Sequence, residues 1–298
     1  MEKHEPTVAP PNMESWTNAG RWGSEDQLGT LNYITPEARV HAAGLVQSGI
    51  TVSLSAPIRT RPSPVDPRPA WHVMHLETER PYATADSLHL QVHGLANTHL
   101  DALGHMFLDG IGYNGRLATD VVDMHGLRAL DVSAMRHGIF TRGVLLDVSD
   151  GSWLTPGTEV SPDMLEAAER RQGVCVGSGD ALFVHVGLER REGVEGPEQT
   201  GPRAGLSTES IGWLHRREVA VYSGDCIERL PELGFGSVAM PLHQIGIARM
   251  GLVLLDCPSL TDLMAAAVRL GRWDFLFTVA PLHIPGATGS PVNPLAVF

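Results

Sequence analysis

His99-Leu-Asp101 followed by His105, with His93 six residues before His99, is the segment of this chain richest in groups that do chemistry. Imidazole nitrogen and carboxylate oxygen together suit borderline divalent metals, and an open position on such an ion lowers the pKa of water toward about 7. A histidine beside that site can take and return a proton at neutral pH, because its ordinary pKa is about 6.5. The spacing alone leaves a second reading open, in which the same side chains are hydrogen-bonded core groups. If the chain turns helical after Thr98, Asp101 and His105 lie four apart on one face, with His99 at the mouth. Gly94 and Gly104 permit tight turns or close packing beside them.

The elements that must position this segment follow from periodicity. Leu88, Leu90 and Val92 alternate with His89, Gln91 and His93, which predicts a strand over 88–92 with its polar side chains on one face. Apolar runs at Gly143–Asp147, Ala181–His185 and Ala220–Ser223 read as further buried strands, and Phe275–Ala280 as a last one. Thr35-Pro36, Ser161-Pro162 and Ser207 are helix-start signals leading into 38–47, 164–171 and 208–217, and Asp262–Leu270 is a further helix. Thr51–Ser55 alternates like a strand, whereas Arg59–Pro69 has four prolines and predicts an irregular excursion. Interspersed strands and helices make this a mixed α/β fold. Residues 1–20, with Pro6, Pro10 and Pro11, read as an N-terminal arm, and 21–298 as one domain.

Composition narrows the function. The 298 residues are 43% apolar and 19% charged, which is ordinary globular usage, and the net charge of −12 disfavours nucleic acid and anionic membrane as partners. Small-molecule substrates fit better. The start has no apolar stretch of signal-peptide length and nothing approaches a membrane span, so the expected location is the cytoplasm. Cys175, Cys226 and Cys257 are odd in number and widely spaced, which predicts buried thiols rather than disulfides or a CxxC metal site.

Fourteen histidines are present and most must be bland. His72 and His75 could line a pocket with Trp71, and Tyr113 is the other aromatic residue near the histidine segment; Trp71, His75 and Tyr113 are the candidate substrate contacts. Asp225, after a predicted strand, either faces the site or serves a turn. Gly286-Ala-Thr-Gly-Ser290 lacks the lysine and helix of a phosphate loop and reads as structural.

Asn97-Thr-His-Leu-Asp-Ala-Leu-Gly-His105, with Asp109-Gly110 and Tyr113-Asn-Gly115 after it, resembles the signature of the cyclase family, the family of bacterial kynurenine formamidase and isatin hydrolase. Arg21-Trp-Gly-Ser-Glu-Asp-Gln-Leu-Gly-Thr-Leu-Asn32 resembles its opening motif. Thr141–Asp147, Ala204-Gly-Leu through His215, and Ala280-Pro through Pro294 resemble later ones, so the likeness spans nearly the whole chain. It implies a swivelling β/β/α single domain, a divalent metal such as zinc or manganese, and hydrolysis of an amide, lactam or lactone carbonyl. It also implies a homodimer or homotetramer. His99 and Asp101 fall on metal-ligand positions, His105 on the catalytic histidine, and His243 near the later active-site histidine; Asp256 stands where the formamidase branch has glutamate.

One departure bears on the metal. The family's first ligand position, four residues before His99, is Leu95 here, and the family's glycine is Asn97. Leucine cannot ligate. His93, two residues earlier, is the replacement, with Asn97 and His243 as alternatives; a metal-free cyclase, dehydratase or isomerase using the same histidines is the competing reading, and a non-catalytic binding protein a more distant one.

Overall fold

The apolar runs of the sequence become the middle of a nine-stranded sheet. The computed structural model describes residues 12–63, 66–75, 83–196, 203–225, 228 and 238–298. In chain order its strands of three or more residues are β1 (Thr51–Ser53), β2 (Trp71–His75), β3 (Ala85–His89), β4 (His99–Asp101), β5 (Ile139–Asp147), β6 (Ala181–His185), β7 (Val221–Gly224), β8 (Val253–Asp256), β9 (Asp274–Val279), β10 (Gly289–Pro291) and β11 (Leu295–Val297). Their order across the large sheet is β1-β11-β9-β5-β6-β7-β8-β4-β10. Strands β5 to β8 run parallel, and the flanking pairs on both sides are antiparallel. This is the mixed α/β single-domain architecture expected from the sequence.

Strands covered on both faces have no polar side to show, which is why they read as continuous apolar runs. Leu145, Leu182, Phe183, Val221, Tyr222, Val253 and Leu254 are fully buried. At Gly143 a side chain is excluded outright: a Cβ there would lie 2.2 Å from the ring of Phe275, its partner across β5 and β9. The bare glycine lets that ring lie over the strand.

Helices start where capping residues predict. Thr35, Ser161 and Ser207 accept hydrogen bonds from the backbone N–H groups of Ala38, Met164 and Ser210, opening α1 (Pro36–Ala43), α2 (Pro162–Gln172) and, after α3 (Leu188–Glu195), α4 (Thr208–Arg216). A π-helix, Leu242–Met250, and α5 (Thr261–Leu270) follow. Among the described residues no helix is long and apolar enough to cross a membrane. The first eleven residues of the predicted arm lie outside the described residues; the rest packs on the body, with Trp16 buried against Gly212 and Asn18 donating to the Met250 carbonyl at 2.8 Å.

Two local expectations are corrected. The strand predicted over 88–92 runs instead over 85–89 and pairs only with β2, so His93 lies in a bend beyond the strand rather than at its end. Residues 99–101 are not the start of a helix but β4, held between β8 and β10. A strand repeats every two residues, so His99 and Asp101 share a face, in place of the Asp101 and His105 pair that a helix would align.

Candidate active site

The parallel strands all end on one edge of the sheet, and chemistry collects there. Asp147 closes β5, His185 closes β6, Gly224 closes β7 just before Asp225, and Asp256 closes β8. Open α/β sheets bind ligands outside the carboxyl ends of their strands, where loops diverge and a crevice opens. Antiparallel β4 brings His99 and Asp101 alongside that edge through its pairing of His99 with Asp256.

Asp101 sits at the centre. It is 1% exposed, and neither carboxylate oxygen receives a hydrogen bond of acceptable geometry. His93 Nδ1 lies 3.0 Å from Oδ1, His99 Nε2 3.5 Å from the same oxygen, and His243 Nε2 3.9 Å from Oδ2. Nitrogen and oxygen atoms this close, yet not aligned for hydrogen bonding, aim at common points between them. Two sets of ligand atoms meet the spacing a metal ion needs: His93, Asp101 and His105, and His99, Asp101 and Asp256. Burial penalises the Asp101 carboxylate, but His93, His105, His99 and His243 outweigh it and hold its pKa below the ordinary value.

The imidazoles are fixed from behind. His99 Nδ1 donates to the Asn97 carbonyl at 2.7 Å, leaving Nε2 for Asp101. His93 Nε2 is 2.8 Å from Thr288 Oγ1, so Nδ1 turns toward Asp101, and the tail around Gly286–Ser290 serves the site structurally. Such outer contacts set tautomer and orientation of metal-binding histidines. His105 stacks on His93 at 3.7 Å between centroids, 1° from parallel.

The two remaining histidines of the cluster are driven apart in basicity. Burial pushes His105 down to about 4, with His93 and His243 adding to the effect against the opposing pull of Asp101 and Asp256. Burial acts the same way on His243, but Asp256 at 3.2 Å and Glu228 at 2.8 Å overcome it and raise its pKa well above the ordinary value. Near neutrality one is an uncharged imidazole and the other an imidazolium.

A cavity of 420 Å³ opens onto this cluster, with Leu95, Met106 and Met240 as apolar wall and His93, His99, His105 and His243 among its polar lining. That size and mix suit a small organic ligand. Leu95, at the position where the family carries a ligand, is half-exposed and forms part of the wall. Asn97 binds the Gln91 carbonyl through Nδ2 and is not in either ligand set, whereas Asp256 reaches one of them despite being shorter than glutamate.

The proposed substrate contacts are not brought to the cavity. Tyr113 is fully buried and donates its hydroxyl to Asp26 at 2.9 Å, and its ring fills the space beside Gly251, where a Cβ would come within 2.6 Å of it. Trp71, His72 and His75 lie on the β2–β3 hairpin, where Trp71 is 70% exposed and His72 and His75 pair with Asp86 and Ser87 of the neighbouring strand. Asp225 does line the cavity, but its oxygens are occupied by the N–H groups of Val186, Gly187 and Leu188 at 2.7 to 2.9 Å, so it anchors the start of α3. Cys175 is exposed and Cys257 partly so, against the expectation of buried thiols; Cys226 lies outside the described residues.

Two lining residues carried no signal in the sequence. Glu228 accepts from the backbone N–H groups of Leu242 and His243 as well as from His243 Nδ1, so it fixes both the start of the π-helix and the ring that projects from it. Arg203 is 8% exposed on the cavity wall, with Nη2 3.5 Å from Glu192 of α3.

The comparisons with known proteins bear on family and fold. The family model for cyclases matches residues 51–228, more than half of the chain. A solved structure described as a novel cyclase shares 29% identity, covering 95% of this chain and 100% of its own, at a TM-score of 0.85. Isatin hydrolase A from Labrenzia aggregata, bound to benzyl benzoate, aligns over 86% of this chain and 94% of its own at 19% identity and a TM-score of 0.59. A structure described as a potential metal-dependent hydrolase with cyclase activity aligns over 83% and 96% at 15% identity and 0.52. These last two establish likeness of fold. No curated protein sequence matches. Fold, colinear motifs and the family match together place this chain in the cyclase family.

Proposed function

We propose that the protein is a metal-dependent hydrolase that opens an amide, lactam or lactone bond in a small cyclic or aryl substrate. The observation that carries this reading is Asp101: a buried carboxylate, both oxygens without hydrogen bonds, ringed by histidine nitrogens. Burying such a charge is costly unless a cation compensates it. The donor set fits zinc or manganese, with His99, Asp101 and Asp256 as one seat and His93 beside Asp101 as the neighbouring donor in place of Leu95. When bound, such an ion supplies Lewis acidity toward a carbonyl and toward water.

The chain's own groups divide the proton work. His105, uncharged at neutral pH, takes a proton from the attacking water; His243, held as an imidazolium between Asp256 and Glu228, gives one to the departing nitrogen or oxygen. Two titratable groups whose surroundings separate their pKa values mark base and acid. Action as a homodimer or homotetramer belongs to this reading, supported by the exposed apolar Trp71, Met74 and Leu88 of a two-stranded ribbon that is barely stable alone in water.

The test joins elemental analysis to turnover of an aryl amide, lactam and lactone panel. We expect near-stoichiometric metal, turnover abolished by chelator, and His105→Ala inactive with an unchanged thermal midpoint. Less than about a tenth of a metal per chain with chelator-resistant turnover would move the reading to metal-free acid/base chemistry. Full turnover by His105→Ala would remove that residue from the mechanism.

A further inference from the structure

Asp101 is not alone as a buried carboxylate with an unpartnered oxygen. A second cavity, of 170 Å³, shares His93, Gly94 and Leu95 with the active-site cavity, so this stretch is a wall common to both. The second cavity is also lined by Asp66 and Asn97, which are 6% and 8% exposed. Asp66 Oδ2 and Asn97 Oδ1 are enclosed by protein, and neither receives a hydrogen bond. Among the described residues no arginine or histidine pairs with Asp66; Arg68, which also lines the cavity, is exposed.

The local donors are committed elsewhere. The Asp66 N–H donates to Ser63, and Asn97 Nδ2 donates to the Gln91 carbonyl at 3.0 Å. That second bond also fixes the amide's orientation, so the end left over is the oxygen. Buried polar atoms are paired in all but a few cases, and an unpaired carboxylate is the costliest exception. Both orphans accept, so what satisfies them must donate or be positive. A carboxylate and an amide oxygen suit hard cations rather than zinc. His93, on the common wall, has its nitrogens turned to Asp101 and Thr288 instead. One carboxylate balances one positive charge.

We propose that Asp66 and Asn97 bind a monovalent alkali cation, sodium or potassium, at a site separate from the Asp101 cluster. Such an ion acts on the active site through Asn97 without touching substrate. The Asn97 side chain ties down the stretch that carries His93 and Leu95, and its carbonyl accepts from His99 Nδ1 at 2.7 Å. Asp66 and Asn97 are thus positioning residues. The proposal goes beyond the hydrolase reading and stands or falls without it.

The experiment compares thermal midpoints in about 100 mM potassium, sodium and choline chloride, where equal ionic strength cancels general screening. Choline carries the same charge, but its methyl groups keep that charge from oxygen ligands. With a Kd of about 10 mM, potassium or sodium should raise the wild-type midpoint by about 2 °C over choline. Asp66→Asn should lose that rise and keep the wild-type response to EDTA. Wild-type crystals soaked in thallium(I), a heavy stand-in for potassium, locate the ion even if the variant does not fold. Their anomalous peak should lie at Asp66 and Asn97. Equal wild-type midpoints in the three salts, a rise that persists in Asp66→Asn, loss of both responses together, or a thallium peak at Asp101 alone overturns the proposal. A peak at Asp66 and Asn97 with no turnover of any amide, lactam or lactone would support it and count against the hydrolase reading alone.

Discussion

Asp101 shows how one residue can announce a ligand by what it lacks. A carboxylate enclosed by protein with no hydrogen bond to either oxygen is held ionised only by the histidines around it. A bound cation stabilises such a site by mass action, about 2.7 kcal/mol at a hundredfold excess over Kd, or about 5 °C in midpoint for a chain of this size. Addition of EDTA should therefore lower the wild-type midpoint by about that amount, and Asp101→Asn should be indifferent to EDTA. A variant that keeps the full chelator response would place the metal elsewhere. His99, Asp101 and His105 were legible as donors in a tight spacing, whereas Glu228 and Arg203 were not, because a single charged residue in a loop has no periodicity to betray it. Tyr113 misled for a related reason: nearness in sequence to the histidine segment says nothing of which side of the chain an aromatic ring turns to, and its ring turns toward Gly251 and Asp26.

At the scale of elements, the carboxyl ends of the parallel strands are joined by side chains as well as by the ladder. His185 Nδ1, at the end of β6, lies 3.1 Å from Asp147 Oδ1 at the end of β5, with Ser149 donating to the same oxygen at 2.6 Å. Burial disfavours both charges, yet the pair outweighs it: the His185 pKa rises above 6.5, helped by Asp225 and Glu189, and that of Asp147 falls below 3.8. A raised histidine contributes stability that is complete below 6.5 and lost as pH rises through its folded pKa. A lowered aspartate contributes stability present above 3.8 and lost as pH falls through its folded pKa. The difference in thermal midpoint between wild type and His185→Gln should accordingly be greatest between these two values, about 2 °C, and shrink on either side. A pH-independent difference would mean that His185 acts by packing alone. The strands carrying this pair were readable as apolar runs, since burial on both faces leaves no other pattern. β4 was misread because three residues cannot show whether a period of two or of 3.6 governs them; its partners β8 and β10, more than 150 residues away, decide the matter.

For the molecule as a whole, the sheet is completed by segments distant in sequence. β11 stands between β1 and β9, so residues 51–53 join the sheet only through 295–297. Neither composition nor periodicity could reveal this pairing, because a local pattern does not say which distant segments meet. Phe298 locks the closure. Its side chain is fully buried with its ring 5.4 Å from that of Phe275, its carbonyl accepts from the N–H groups of Ser48 and Gly49 at 3.0 and 2.8 Å, and its own N–H donates to the Ile50 carbonyl at 2.9 Å. Truncating a buried phenylalanine removes its transfer free energy and leaves a cavity that fixed neighbours cannot fill, typically about 3–5 kcal/mol. Here the backbone bonds survive, so Phe298→Ala should cost about 3 kcal/mol in urea denaturation. The candidate metal-binding cluster lies toward the opposite edge, on β4 and β8, five or more strands from β11 in the sheet order. Metal content and the chelator response of the folded variant should thus match the wild type. A loss of stability under about 1 kcal/mol would mean that β11 closes the sheet through its ladder alone, and a loss of metal at full stability would mean that the two edges are coupled through the sheet.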